Sequence, residues 1–80
     1  MKIKRSDELK ILIHNITYLR KKYGISKKKM SELLGIGIKS LNKIEKGEVP
    51  PRLSANVIFN IWRYFHIRPK DLLGGKLDEI

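Results

Sequence analysis

The sequence predicts an all-α fold, a compact bundle of five helices in one domain. Apolar residues recur at three- and four-residue steps along most of the chain, and no stretch shows the alternation of apolar and polar residues that indicates a strand. Glycines and prolines divide this pattern into separate helices. An apolar share of 41% in 80 residues is sufficient for a single core, although a chain of this size is near the limit.

The first predicted helix starts at Ser6, a good N-cap residue, and Asp7 and Glu8 place negative charge at the positive end of the helix dipole. Gly24 follows the helix, where a left-handed C-cap is expected. His14 lies off the apolar face and is predicted to be exposed. The apolar face itself consists of Leu9, Leu12, Ile13, Ile16, Leu19 and Tyr23.

Two short helices follow. Ser26 caps the second helix, which ends at Gly35, and Gly37 caps the third, which ends before Gly47. Each has room for only two or three turns, so that packing against the rest of the domain must stabilise it. The short connection between them predicts that they cross steeply. Their inward-facing residues are Met30, Leu33, Leu34, Leu41 and Ile44.

The last third of the chain predicts a turn and two more helices. Pro50 and Pro51 exclude a helix there, and helical spacing resumes from Leu53 to Ile67 with Ser54 as the cap. A final short helix is predicted over residues 69–73, which gives a domain of residues 1–75 and a tail of residues 76–80. The fourth helix directs Val57, Ile58, Ile61, Trp62 and Phe65 inward, whereas Tyr64 is off that face and is the better candidate for surface contact; a dimer interface is the alternative place for Trp62 and Phe65.

The net charge of +10 is concentrated in the N-terminal two thirds of the chain. Residues 1–52 carry fourteen lysines and arginines against five acidic residues, whereas residues 53–80 carry four against three. A polyanion is therefore the first partner to consider. Membrane surfaces and acidic proteins are the alternatives.

The composition also indicates what the protein is not. There is no cysteine, there are only two histidines, and no metal-ligand spacing or glycine-rich phosphate loop occurs, so that we predict neither an enzyme nor a metal or cofactor site. The longest apolar runs have three residues, far too few for a membrane span or a secretion signal. We therefore expect a cytoplasmic protein.

An ordered set of residues between Ile16 and Leu73 resembles the Cro/phage-repressor, or XRE-like, helix-turn-helix family. The matching residues are Ile16, Leu19-Arg20, Ile25-Ser26, Met30, Leu33-Leu34-Gly35, Leu41, Ile44-Glu45, Gly47, Pro51 and Leu72-Leu73. The resemblance implies a five-helix DNA-binding domain with a helix-turn-helix core at residues 26–46. It also implies an internal ion pair between Arg20 and Glu45.

The resemblance also assigns DNA contacts. The helix from Ile38 to Lys46 corresponds to the recognition helix, which enters the major groove and reads bases through Ile38, Lys39, Asn42 and Lys43. Three lysines at the start of the second helix oppose the helix dipole, which suggests that phosphates bind there. The expected phosphate contacts are Ser26, Lys27, Lys28, Lys46, Arg52 and Lys22.

Ile38 departs from the family, which commonly has a polar residue there, and Gly37 stands where Ser or Thr is usual. Ile38 could contact thymine methyl groups, turn inward, or face a protein partner. The resemblance implies a sequence-specific regulator of transcription, a repressor by expectation, that binds double-stranded DNA as a homodimer. The alternatives are an antitoxin-type autorepressor with a protein toxin as partner, a protein-interaction adaptor of the same fold, and an RNA-binding protein.

Overall fold

Five α-helices and a terminal 3₁₀-helix form the part of the chain that the computed structural model describes, which is residues 5–50, 53 and 55–79. No strand occurs in these residues, so the predicted all-α fold is confirmed. The helices are α1 (Arg5–Lys22), α2 (Lys27–Leu34), α3 (Ile38–Glu45), α4 (Ala55–Phe65) and α5 (Pro69–Gly74), followed by the 3₁₀-helix Leu77–Glu79.

All five helices contribute side chains to a single core. Eleven apolar side chains in the described residues are at most 3% exposed. Burying a side chain of this kind stabilises the fold by about 1.5–3 kcal/mol, so that packing, rather than intrinsic helix propensity, holds the two-turn helices α2 and α3. The core residues are Leu12, Ile13, Ile16, Leu19, Met30, Leu34, Leu41, Ile44, Val57, Ile61 and Leu72.

The turn between α2 and α3 depends on a left-handed residue. Gly35 has φ of 71°, and its N–H donates to the carbonyl groups of Ser31 and Glu32, which ends α2. A residue other than glycine would be strained in this conformation. His66 adopts φ of 58° at the end of α4, a left-handed conformation in which histidine is enriched among the residues other than glycine.

Several predicted details of the helices are wrong. The described part of α1 begins at Arg5, so that Ser6 lies inside the helix rather than before it. The cap at Ser54 stays a prediction, since this residue lies outside the described residues. Tyr23 and Trp62 are 56% and 47% exposed, although both were predicted to face the core. Tyr23 follows the end of α1, where the helical spacing no longer applies. Trp62 lies about 100° around α4 from buried Ile61, which places it at the margin of the core-facing side.

The C-terminal residues 77–79 form a turn of 3₁₀-helix that packs against α1, whereas residues 76–80 were predicted to be a tail. Leu77 packs against the core, and its backbone N–H donates to Asn15 Oδ1 at 2.9 Å. His14, which was predicted to be exposed, is partly exposed and contacts this turn: its Nε2 lies 2.9 Å from Asp78 Oδ1. These contacts attach the segment to the domain.

The contact with Asp78 predicts a dependence of stability on pH. The hydrogen bond with His14 holds the pKa of the Asp78 carboxyl group below its usual value of 3.8. Because the pKa is lower in the folded state, the carboxylate stabilises the fold above about pH 4 and loses this contribution as the pH falls further. We expect Asp78→Asn to have a free energy of unfolding that falls less between pH 5 and about pH 3 than that of the wild type, in urea unfolding at each pH.

His14→Ala is the matching variant, since it removes the partner and leaves the carboxylate in place. It should return the Asp78 pKa, followed by NMR, towards its usual value. A wild type and an Asp78→Asn variant with the same acid dependence would contradict the assignment.

Candidate nucleic-acid interface

Helices α2 and α3 pack on the same core and are joined by residues 35–37 alone. Leu33, which was predicted to face inward, is only half-buried. Each helix directs a separate side towards solvent. The residues of these helices that are buried as predicted are Met30, Leu34, Leu41 and Ile44.

The outward side of α3 carries the four residues predicted to read bases. Lys39 and Lys43 are exposed, and Asn42 is half-buried. Ile38 is 44% exposed, so the alternative in which it turns into the core is wrong. Gly37 is the N-cap of α3 and provides no side-chain hydrogen bond, so that the N–H groups of the first turn lack a side-chain cap.

The N-terminus of α2 is strongly basic. Ser26 is in an extended conformation, and its Oγ accepts a hydrogen bond from the backbone N–H of Lys29 at 3.1 Å, as a capping residue does. Lys27, Lys28 and Lys29 are all exposed, and no acidic residue occurs in this first turn. Each cation costs about 0.3–1 kcal/mol at the positive end of a helix, a repulsion that a bound anion would offset.

A hydrogen bond brings the two predicted sets of contacts together. Lys27 Nζ donates to Asn42 Oδ1 at 3.3 Å, so that the start of α2 and the outward side of α3 adjoin. Candidate phosphate-binding and base-reading groups thus lie on one continuous surface. We call this surface the basic face; it consists of Ser26, Lys27, Lys28, Ile38, Lys39, Asn42 and Lys43.

The ion pair between Arg20 and Glu45 is present and links α1 to the end of α3. Arg20 Nε and Nη2 bind the two carboxylate oxygens of Glu45, the second at 2.9 Å. Arg20 Nη1 also donates to the carbonyl oxygen of Ile25 at 3.1 Å, just before the capping residue of α2. The two charged side chains are only 18% and 11% exposed. Glu45 is the one acidic residue of α3, so that the outward side of this helix has no carboxylate of its own.

Comparison with known families agrees with this geometry. A family model described as a helix-turn-helix domain matches residues 13–77. The chain belongs to this XRE-like helix-turn-helix family. Comparisons with curated proteins and with solved structures gave no match. Membership indicates a DNA-binding regulator, in a family whose members are typically not enzymes.

The matched range of the helix-turn-helix domain includes both helices of the basic face as well as Arg20 and Glu45. Within the described residues, none of the helices combines the length and the apolar character that crossing a membrane requires.

Three more cations of the helix-turn-helix domain were predicted to contact phosphates. Lys46 is exposed at the C-cap of α3. Lys22 Nζ lies 5.6 Å and 5.7 Å from the ring centroids of Tyr18 and Tyr23, so that reaching a phosphate would first cost these cation–π contacts, about 0.5–1 kcal/mol at an exposed site. Arg52 lies outside the described residues.

Two asparagines that position the helices were missed. Asn15 is completely buried and binds the C-terminal segment, and Asn60 Nδ2 donates to the carbonyl oxygen of Leu34 at 3.1 Å, at the end of α2. The signal for Asn15 was its place in the sequence, because it lies three residues after Leu12 and four before Leu19 on the apolar side of α1. No comparable signal marks Asn60.

Proposed function

We propose that this helix-turn-helix protein is a sequence-specific regulator of transcription, a cytoplasmic repressor, that inserts Ile38–Lys46 into the major groove of double-stranded DNA. The observation that carries the proposal is the basic face, where the exposed lysines of α3 adjoin the basic N-terminus of α2. The groove admits one α-helix, and the short length of α3 keeps its ends clear of the DNA backbone. The proposed activity requires neither catalysis nor a cofactor.

Each group of the basic face has a proposed role. Lys39 and Lys43 donate to guanine O6 and N7, and Ile38 contacts thymine methyl groups. Asn42 Oδ1 already accepts from Lys27, so that its Nδ2 group is the donor for a base or a phosphate. The phosphate contacts are Ser26, Lys27 and Lys28 with the N-terminus of α2, and Lys46, Arg52 and Lys22 as secondary contacts.

A single domain of this kind reads only a few base pairs. We therefore propose that two copies bind half-sites about 34 Å apart, one turn of the DNA helix. Selection of bound duplexes from a random pool tests the proposal, with a recurrent motif repeated at that spacing as the expected result. A pool without enrichment after several rounds would refute sequence-specific binding.

Alanine variants of the basic face are expected to separate into two classes. Lys39→Ala and Lys43→Ala should relax base preference by about 1–3 kcal/mol at particular positions of the selected site. Lys27→Ala should weaken the binding of all DNA sequences to a similar extent. It should also reduce the slope of log K against the logarithm of the salt concentration by about one unit. Titration of labelled selected and scrambled duplexes at several salt concentrations measures both effects.

Lys70→Ala is the control, because Lys70 is an exposed lysine of α5 outside the basic face. Its affinity and its salt dependence should match those of the wild type within error. Equal effects of Lys39→Ala and Lys27→Ala on every duplex would contradict the proposed division between base reading and phosphate binding.

The exposure of Tyr64, which is 55%, favours a second candidate function, an antitoxin-type autorepressor. Such a protein needs an apolar surface for its toxin besides the surface for its own promoter. Expression of the gene adjacent to this one, with and without this protein, tests that function. Growth arrest that this protein relieves is the expected result, and harmless expression of the neighbour alone would exclude it.

A further inference from the structure

Helix α4 has two large aromatic residues that are about half exposed, Phe59 on its outward side and Trp62 at the margin of its core-facing side. Phe59 and Trp62 are 53% and 47% exposed and lie about one helical turn apart. Together with Arg63 and His66 they line a shallow cleft of about 440 Å³, which we call the α4 cleft. None of the four residues belongs to α2 or α3, so that the α4 cleft and the basic face share no residue.

The exposed surface of α4 is more apolar than is usual for the solvent-facing side of a helix. The inner side of α4 is fully packed, since Val57 and Ile61 are at most 1% exposed. Phe59 and Trp62 thus extend the apolar surface of α4 beyond its packed side, a pattern typical of a helix that is covered over more than one face. Exposed aromatic residues beside an arginine are also the side chains that most often anchor protein interfaces.

The charge around the α4 cleft indicates what kind of partner fits. Helix α4 contains no acidic residue, and Arg63 is its one charged side chain. The nearest carboxylate after it in the sequence, Asp71, accepts a hydrogen bond from Arg68 Nε at 3.2 Å. The four residues that line the cleft are aromatic or basic, and none of them is acidic. A second copy that docked through the same cleft would add another Arg63 and no carboxylate, whereas an acidic partner would be complementary.

We propose that the α4 cleft binds an acidic amphipathic helix of another protein. Large apolar side chains of that helix pack against Phe59 and Trp62, and a carboxylate binds the guanidinium group of Arg63. This interaction uses none of the residues of the basic face, and we expect it to be compatible with DNA binding. Through the α4 cleft, this protein would bind a second protein while it is itself bound to DNA.

The first step of the test is selection from a displayed library of helical peptides with random sequence. The wild-type protein is the target, and the Phe59→Ala, Arg63→Glu double variant removes peptides that bind elsewhere. We expect the enriched peptides to be acidic, with apolar residues at three- and four-residue spacing. Failure to enrich peptides, or enrichment of basic peptides, would overturn the proposal.

The second step uses the fluorescence of Trp62, the one tryptophan of the chain. Titration with the most enriched peptide, made synthetically, should shift the emission to shorter wavelength as the indole is covered. Phe59→Ala and Arg63→Glu should each raise the dissociation constant about tenfold or more. Both side chains are exposed, and a thermal unfolding curve for each variant establishes that it is folded.

Tyr64→Ala is the matched control, since Tyr64 is an equally exposed aromatic residue of α4 that does not line the cleft. Its dissociation constant should stay within about twofold of the wild-type value. An equal loss in this variant would overturn the proposal. So would a shift of Trp62 emission with protein concentration alone, because a second copy would then be the occupant. Phe59→Ala should leave the affinity for DNA unchanged. A loss of peptide binding in this variant can therefore be distinguished from a failure of DNA binding, which is the proposed function.

Discussion

Glu45→Ala is expected to destabilise the protein by about 3–5 kcal/mol, because it leaves the guanidinium group of Arg20 largely buried without its carboxylate. Arg20→Ala should cost at least as much, since the carbonyl group of Ile25 loses its donor as well. Urea unfolding followed by circular dichroism measures both changes, provided that the transition is two-state, as it usually is in a domain of this size.

The apolar double variant Arg20→Met, Glu45→Leu distinguishes a true pair from two independent side chains. Replacing both partners with apolar residues should cost much less than the sum of the two single changes, because no charge is then left unpaired. Arg68→Ala is the matched control. It removes an exposed pair, whose side chains are 68% and 46% exposed, and should cost less than about 1 kcal/mol. Additive effects at Arg20 and Glu45 would contradict the coupling.

Asn15→Leu is expected to cost about 2–4 kcal/mol, although leucine keeps the branching of the side chain at Cγ. Asn15 Nδ2 donates to the carbonyl oxygens of Leu72 at 2.8 Å and of Gly75 at 3.0 Å, and Oδ1 accepts from the Leu77 N–H. Leucine can satisfy none of these three groups, and each buried group left unpaired costs about 1–3 kcal/mol unless the segment moves away. Unfolding in urea measures the loss.

Amide hydrogen exchange tests whether the effect is local. The Leu77 N–H should exchange faster in Asn15→Leu even under conditions where the domain remains folded, because its acceptor is gone. Asn60→Ala provides the control, since it removes a single hydrogen bond, to Leu34, and should cost about 1 kcal/mol. Unchanged exchange at Leu77 would show that Asn15 does not hold the C-terminal segment.

The sequence predicts most of the helical architecture because spacing and helix ends are local signals. The inward residues Leu41 and Ile44 follow from periodicity alone. The Arg20–Glu45 pair followed only from the family resemblance, since the two residues are 25 positions apart and nothing in their spacing joins them.

Apart from that pair, features that depend on contacts between residues distant in the sequence could not be predicted. Periodicity places Trp62 near the apolar side of α4 but does not determine how far its neighbours extend to cover it. The partners of Asn15 lie 57 to 62 residues away. The contact of Lys27 with Asn42 depends on how α2 and α3 are placed relative to each other. The residues of the basic face were predicted before the structure was known, but their positions relative to one another are visible only in the structure.

The two sides of α3 make separate contributions to the protein. Leu41 and Ile44 fix the helix to the core, whereas the exposed side chains of Lys39 and Lys43 add little to folding. Under the proposed function, substitution at these two positions would change the DNA sequence that is bound while leaving the core intact. Two copies of the gene could then differ in the DNA that their products bind and still share one scaffold.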